Sequence, residues 1–201
     1  MEKFYAMLDN WALSPTGNTQ EMEQLLWQSY GVEKAVLALD MSGFSRTVRR
    51  YGILHYLAMV RRMHLISEPA VLRCDGEVVK FEADNVFAVF PTVESAILAS
   101  AEIVRCFHIE NEKTPDNRDI HVSIGIAWGK ILLIPSRDYF GDAVNIACKL
   151  GEDLAQADEI LVDDSAWSRV KNPGALGVAA EGLELSVSGL ALKAWRIFPR
   201  G

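Results

Sequence analysis

The chain is poor in the residues that staple, bridge metals or span membranes. It has only 3 cysteines in 201 residues, Cys74, Cys106 and Cys148, odd in number and far apart. No CxxC pair marks a zinc site, and so scattered a set does not describe a disulfide framework. Reduced thiols in apolar surroundings are the expectation. The 4 histidines fall at no ligand spacing, which argues against histidine-based metal chemistry. No apolar run approaches the roughly 20 residues needed to cross a bilayer, and no signal-peptide pattern is read at the start. Membrane insertion is therefore not expected, any anchor is left to a partner, and a cytoplasmic location is the reading that follows. Positive charge is short as well: 20 Lys and Arg stand against 27 Asp and Glu, a net charge of −7. Nucleic acids and anionic membranes usually select the opposite balance, so neither is an expected partner.

What is present is enough apolar material for one full core, with half of the residues hydrophobic. Two short helices are expected first, about Glu2–Trp11 and from Thr19 toward Gly31, the second with Met22, Leu25, Leu26 and Trp27 on one face. They read as an extension, residues 1–31, ahead of a domain over 32–200. The apolar spacing of Trp11, Leu25, Leu26 and Trp27 suggests packing on a dimer. Ala35–Met41 then reads as a buried strand. Ser45 is a candidate N-cap for a helix to about Ser67, ended by Pro69. Ala70–Cys74, Glu77–Glu82 and Asn85–Phe90 read as strands, with Asp75-Gly76 a turn. A helix from Pro91-Thr92 to about Glu112 follows, then strands at Ile120–Trp128 and Ile131–Ile134 and a helix over Asp142–Leu154. Glu159–Val162 reads as a strand, Ser165–Val170 as a short helix, and Leu183–Val187 with Ala191–Phe198 as a closing pair. The inner order of strand, helix, strand, strand, helix, strand is the split βαβ, ferredoxin-like arrangement of an α+β fold, with C-terminal additions.

Three segments carry polar residues where strands and helices end. Asp40 closes an apolar run, and Asp84 sits between two others. A carboxylate beside a buried strand is costly unless something compensates it. Two of them on adjacent strands suit a hard divalent cation whose shell is completed by phosphates. After Asp40, Met41-Ser42-Gly43-Phe44-Ser45 turns toward a helix, and backbone N–H groups at such a start can hold phosphate oxygens. Lys80 lies four residues before Asp84, on the same face if residues 79–82 are extended. On the helix after Gly141, Asn145 and Lys149 share a face four residues apart. Taken singly, each segment also reads as structure: a helix entry, a solvated strand lysine, a polar helix face.

Taken together and in order, Asp40 to Ser45, Gly76 to Lys80 to Asp84, and Asp138 through Gly141, Asn145 and Lys149 resemble the catalytic domain of class III nucleotidyl cyclases, the adenylyl and guanylyl cyclases. The resemblance spans roughly residues 33–199. It implies that Asp40 and Asp84 are metal ligands for two Mg²⁺ or Mn²⁺ ions per site. It gives Met41 to Ser45 to the phosphates, and makes Lys80 and Asp138 an adenine-selecting pair. Asn145 takes the ribose and Lys149 the α-phosphate. ATP is the implied substrate, cyclic AMP the product, and a head-to-tail homodimer with shared sites the assembly. An activating partner would be invisible in this sequence.

Three residues depart from the family pattern. Ala83 stands before Asp84 where glycine is common, and a φ > 0 backbone would not suit it. Lys149 stands for arginine, keeping the charge and losing the bidentate fork. Ser188-Gly189 stands for a Lys-Gly step, leaving Lys193, or one of Arg46, Arg49 and Arg50, as the candidate triphosphate contact. Lys149 also leaves open a second reading, a nucleotide-binding regulatory module with little turnover, and changes around the pocket leave open a cyclase for another base.

Overall fold

The computed structural model describes residues 2–14, 18–42, 49–187 and 190–199. Two helices open it, α1 (Glu2–Ala12) and α2 (Thr19–Tyr30). Asn18 caps α2 by accepting from the backbone N–H groups of Gln20 and Glu21. The long strand β1 (Gly31–Met41) follows directly, then helix α3 (Ile53–Arg73), strands β2 (Glu77–Glu82) and β3 (Asn85–Phe90), and helix α4 (Val93–Asn111). Strand β4 (Val122–Ile134) leads into the short β5 (Asp138–Phe140), helix α5 (Asp142–Cys148) and a π-helical turn over Lys149–Leu154. Strand β6 (Ile160–Asp163), helix α6 (Asp164–Trp167) and strands β7 (Val178–Val187) and β8 (Leu190–Pro199) complete the described chain.

The strands lie in the order β2-β3-β1-β4-β6-β8-β7, with β5 paired to β4. The first four are the split βαβ unit expected from the sequence, and β6 to β8 lengthen the sheet beyond β4. β1 is buried along Ala35–Leu39 because both its faces are covered, which is why it reads as a continuous apolar run and not an alternating one. One row, Ala35, Leu37 and Leu39, packs with Met63 and Val71 of α3 and Ile97 and Phe107 of α4. The other row, Val36 and Ala38, packs with Phe87, Ile131, Tyr139 and the α5 residues Ala143 and Ala147. Asp40 continues this second row by the two-residue period of a strand.

Glycines let α5 and its π turn sit close to the sheet. A Cβ on Gly125 would stand 2.1 Å from the Ala147 carbonyl oxygen, and one on Gly151 would stand 2.6 Å from that of Ala38. Backbone meets backbone there, which fixes residues 142–154 over β1 and β4.

Several boundaries differ from the sequence reading. Pro69 does not end the helix before it: α3 runs through Pro69 to Arg73, and 70–74 is its last turn, not a strand. Proline in a helix interior costs about 3 kcal/mol; burial of Ser67, Ala70 and Val71 around it holds the helix together. The proposed cap Ser45 lies outside the described residues. The two strands expected over 120–134 are one, β4, passing through Gly129. β7 begins at Val178, earlier than expected, because its register with β8 continues to Pro199. All three cysteines are free and part-buried. Among the described residues, no helix is long and apolar enough to cross a membrane.

Candidate active site

The end of β1 and the β2–β3 turn bring two carboxylates together. Asp40 lies opposite Asn85 in the β1–β3 register. Asp84 occupies the turn just before Asn85, and its carbonyl accepts from the Met41 N–H at 3.2 Å. Ala83 turns this corner at φ 51°, the left-handed conformation that a side chain disfavours. Asp84 is 9% exposed. Among the described residues neither carboxylate belongs to an ion pair. Burial first, then the charges of Asp84 and Glu152, push the Asp40 carboxyl up to about 7. Burial also raises that of Asp84. In the amide orientation that satisfies its neighbours, Asn85 Nδ2 donates to Asp40 Oδ1 at 2.9 Å and to the Leu39 carbonyl at 3.2 Å.

This corner fits a hard divalent cation. Its donors are carboxylate oxygens, its charge is uncompensated among the described residues, and the donor type suits Mg²⁺ or Mn²⁺ over softer metals. Among the described residues no group of three or more His, Cys, Asp and Glu side chains forms a metal cage. A cation here needs water or phosphate oxygens to complete its shell.

Lys80 and Asp138 meet elsewhere. β2 carries a bulge between Val78 and Lys80, and from Lys80 to Glu82 it pairs in regular register with β3. The Lys80 ammonium lies 3.2 Å from Asp138 Oδ1, 2.9 Å from Glu82 Oε2 and 5.3 Å from the centre of the Phe87 ring. Burial works to lower the Lys80 pKa, but the Glu82 and Asp138 carboxylates outweigh it and keep it above its ordinary value. Beside them, burial and then Glu152 push the Cys148 thiol up to about 12.

Asn145 and Lys149 are one helical turn apart, since the Lys149 N–H donates to the Asn145 carbonyl, and both side chains are exposed. Lys193 is exposed on β8, two strands beyond β4 and opposite Glu184. The N–H groups of Met41 and Ser42 are already donated within the chain, to the carbonyls of Asp84 and His121, which leaves them poor phosphate hooks. Gly43, Phe44 and Ser45 lie outside the described residues, as do Arg46, Ser188 and Gly189. The sequence reading missed Glu152, Asn85 and Glu82. Glu152 reaches the acidic corner through a π-helical turn that has no local sequence signal, whereas Asn85, next to Asp84 at a turn, was open to inspection.

No family model matches the chain. Over 130 residues, 65% of its length, it is 30% identical to "Putative adenylate cyclase 3" of Rhizobium meliloti, and it spans 22% of that longer protein. It resembles the crystal structure of an adenylate/guanylate cyclase/hydrolase from Silicibacter pomeroyi at 30% identity and TM-score 0.69, covering 85% of this chain and 99% of the other. The guanylyl cyclase Cya2 shares the fold at TM-score 0.72 and 15% identity, over 85% of this chain and 94% of its own. By its motifs, its sheet order and this likeness, the chain belongs to the class III adenylyl/guanylyl cyclase family.

Proposed function

We propose that the chain is an adenylyl cyclase that converts ATP to 3′,5′-cyclic AMP and pyrophosphate, working as a homodimer with two composite sites. Residues 32–200 form the catalytic domain and 1–31 its helical extension. The observation that carries this reading is the Lys80–Asp138 pair at 3.2 Å. A donor beside an acceptor matches the adenine edge, where N1 accepts and the 6-amino group donates, whereas guanine presents the reverse. Asp40 and Asp84 would hold the two divalent cations, whose chemistry there would be to lower the pKa of the ribose 3′-hydroxyl and offset charge on the triphosphate.

The chain's own groups do the positioning. Lys80 donates to N1 and Asp138 accepts from the 6-amino group, which fixes the base. Asn145 orients the ribose, and Lys149 offsets charge growing on the α-phosphate. The 3′-hydroxyl passes its proton to solvent water, and its oxygen bonds to the α-phosphorus as the bond to the leaving pyrophosphate breaks. Orientation and preorganised charge, not covalent participation, supply the rate. Gly43 to Ser45 and Lys193 remain the proposed contacts to the phosphates.

The test is product analysis by mass spectrometry with ATP, GTP, CTP and UTP mixed, under Mg²⁺ or Mn²⁺, beside Asp40→Ala. Cyclic AMP that disappears in the variant is the expected result. A different cyclic nucleotide keeps the mechanism and removes the base assignment. Tight nucleotide binding with no product favours the regulatory-module reading, for which Lys149 in place of arginine is the supporting observation.

A further inference from the structure

We infer that Phe4 of α1 is a positioning residue for base selection, acting through Phe140 on Asp138. The inference rests on the reading of Lys80 and Asp138 as the adenine pair.

β5 has three residues and, among the described residues, pairs only with β4, too short a ladder to hold a side chain in place unaided. Strand alternation puts Tyr139 on one face and Asp138 with Phe140 on the other. Tyr139 is anchored by the core: it is 4% exposed and meets Phe87 edge-on at 6.2 Å and 73°. The face that carries Asp138 is braced differently. The Phe140 ring stacks on Phe4 at 5.8 Å with the two planes 1° apart. Phe4 is itself 2% exposed and held edge-on by Tyr5 at 5.4 Å and by Tyr30 of α2 at 5.0 Å. α2 is fixed in turn to β4 by Trp27, whose ring lies 4.6 Å from the Lys130 ammonium. The N-terminal helices thus clamp the β4–β5 hairpin from the side on which Asp138 reads the base. Hydrogen bonds weaken steeply with distance and angle, so a β5 released from Phe4 reads the base less well while the acidic corner stays intact.

The experiment uses the full chain and compares Phe4→Ala, Phe140→Ala, their double variant, Phe4→Tyr and Asp138→Ala. For each, kcat and KM are measured with ATP and GTP, and Kd with non-cyclisable analogues of both. Loss of one aromatic contact is worth roughly a 2–10-fold effect. The expected result is that Phe4→Ala and Phe140→Ala each raise KM and Kd for the adenine nucleotide by that factor. Preference over guanine falls in step, with kcat nearly unchanged. The double variant is no worse than either single one, because one stack is lost in all three, and Phe4→Tyr restores the parent behaviour. If Phe4→Ala fails to fold, Phe140→Ala, at a residue that is 41% exposed, carries the same test. An equal fall in kcat for both nucleotides with KM, Kd and preference unchanged overturns the inference, and so does no change at all. If Asp138→Ala shifts preference and Phe4→Ala does not, only the role of Phe4 falls. If Asp138→Ala leaves preference untouched, the base reading falls with it.

Discussion

At the end of β1, Asp40 and Asp84 crowd two carboxylates together with, among the described residues, no cation paired to either, and burial holds the Asp40 carboxyl at about 7. Along β2 and β5, Lys80 is already paired with Asp138 and with Glu82. The first region is incomplete by its own electrostatics and gains when a cation arrives. The second is satisfied without ligand and must exchange its internal ion pair for contacts to a base. Affinity is therefore expected to come from the acidic corner and selectivity from the neutral pair. A site whose charge is unpaid attracts strongly, whereas a site that already bonds to itself gains only the difference between partners.

The largest way to break that contrast is to remove the acidic corner. Asp40→Ala or Asp84→Ala is expected to lower product formation by at least about 10²–10³-fold, the scale of losing one preorganised charge contact, measured as cyclic nucleotide per unit time. Changing the selective pair acts on choice more than on rate. Asp138→Ala is expected to lower the ATP-to-GTP ratio of kcat/KM by roughly 10–100-fold, from the 1–3 kcal/mol that such base contacts discriminate, with total turnover less affected. Lys149→Arg restores a bidentate fork and is expected to raise kcat by about tenfold; an unchanged kcat would remove Lys149 from the α-phosphate.

The acidic corner also predicts a pH dependence in the metal-free protein. The folded Asp40 pKa, about 7, lies above its ordinary 3.8, so the folded state binds a proton more readily than the unfolded one. Its contribution to stability is full below about pH 4 and is lost as pH rises through about 7. Thermal melting without divalent cations should show this fall, and Asp40→Asn should flatten it. Added Mg²⁺ should raise Tm most on the alkaline side, where both carboxylates are charged. The smallest effect concerns the turn between the two regions. Ala83→Gly relieves the left-handed backbone at φ 51°, and the expected gain of about 1 kcal/mol raises Tm by roughly 2–4 °C in a chain of this size.

The paired carboxylates were legible because charge at the edge of a buried strand is costly and therefore informative. The same holds for the βαββαβ order, carried by runs such as Ala35–Leu39 and by the Asp75-Gly76 turn. What misled was local punctuation. Pro69 signals a helix end, yet burial of its neighbours outweighed one lost hydrogen bond. Lys80 taken alone reads as a solvated strand lysine, yet Asp138 and Glu82 both lie within ion-pair distance of it. Met41 and Ser42 read as free donors, yet the Asp84 and His121 carbonyls take their N–H groups.

The N-terminal helices show the limit most clearly. Their apolar spacing suggests packing on a dimer; within one chain Trp11 and Leu25 of that set are exposed, whereas Phe4, outside that set, and Trp27 close on the β4–β5 hairpin. By itself the sequence determined which groups carry charge, where apolar periodicity must be buried, and so the class of fold and of chemistry. Tertiary structure alone decided how those groups meet: the left-handed Ala83 turn before Asp84, Glu82 beside the Lys80–Asp138 pair, and the stack of Phe4 on Phe140. Such meetings depend on register, bulges and helix approach, and those follow from packing between residues far apart in the chain.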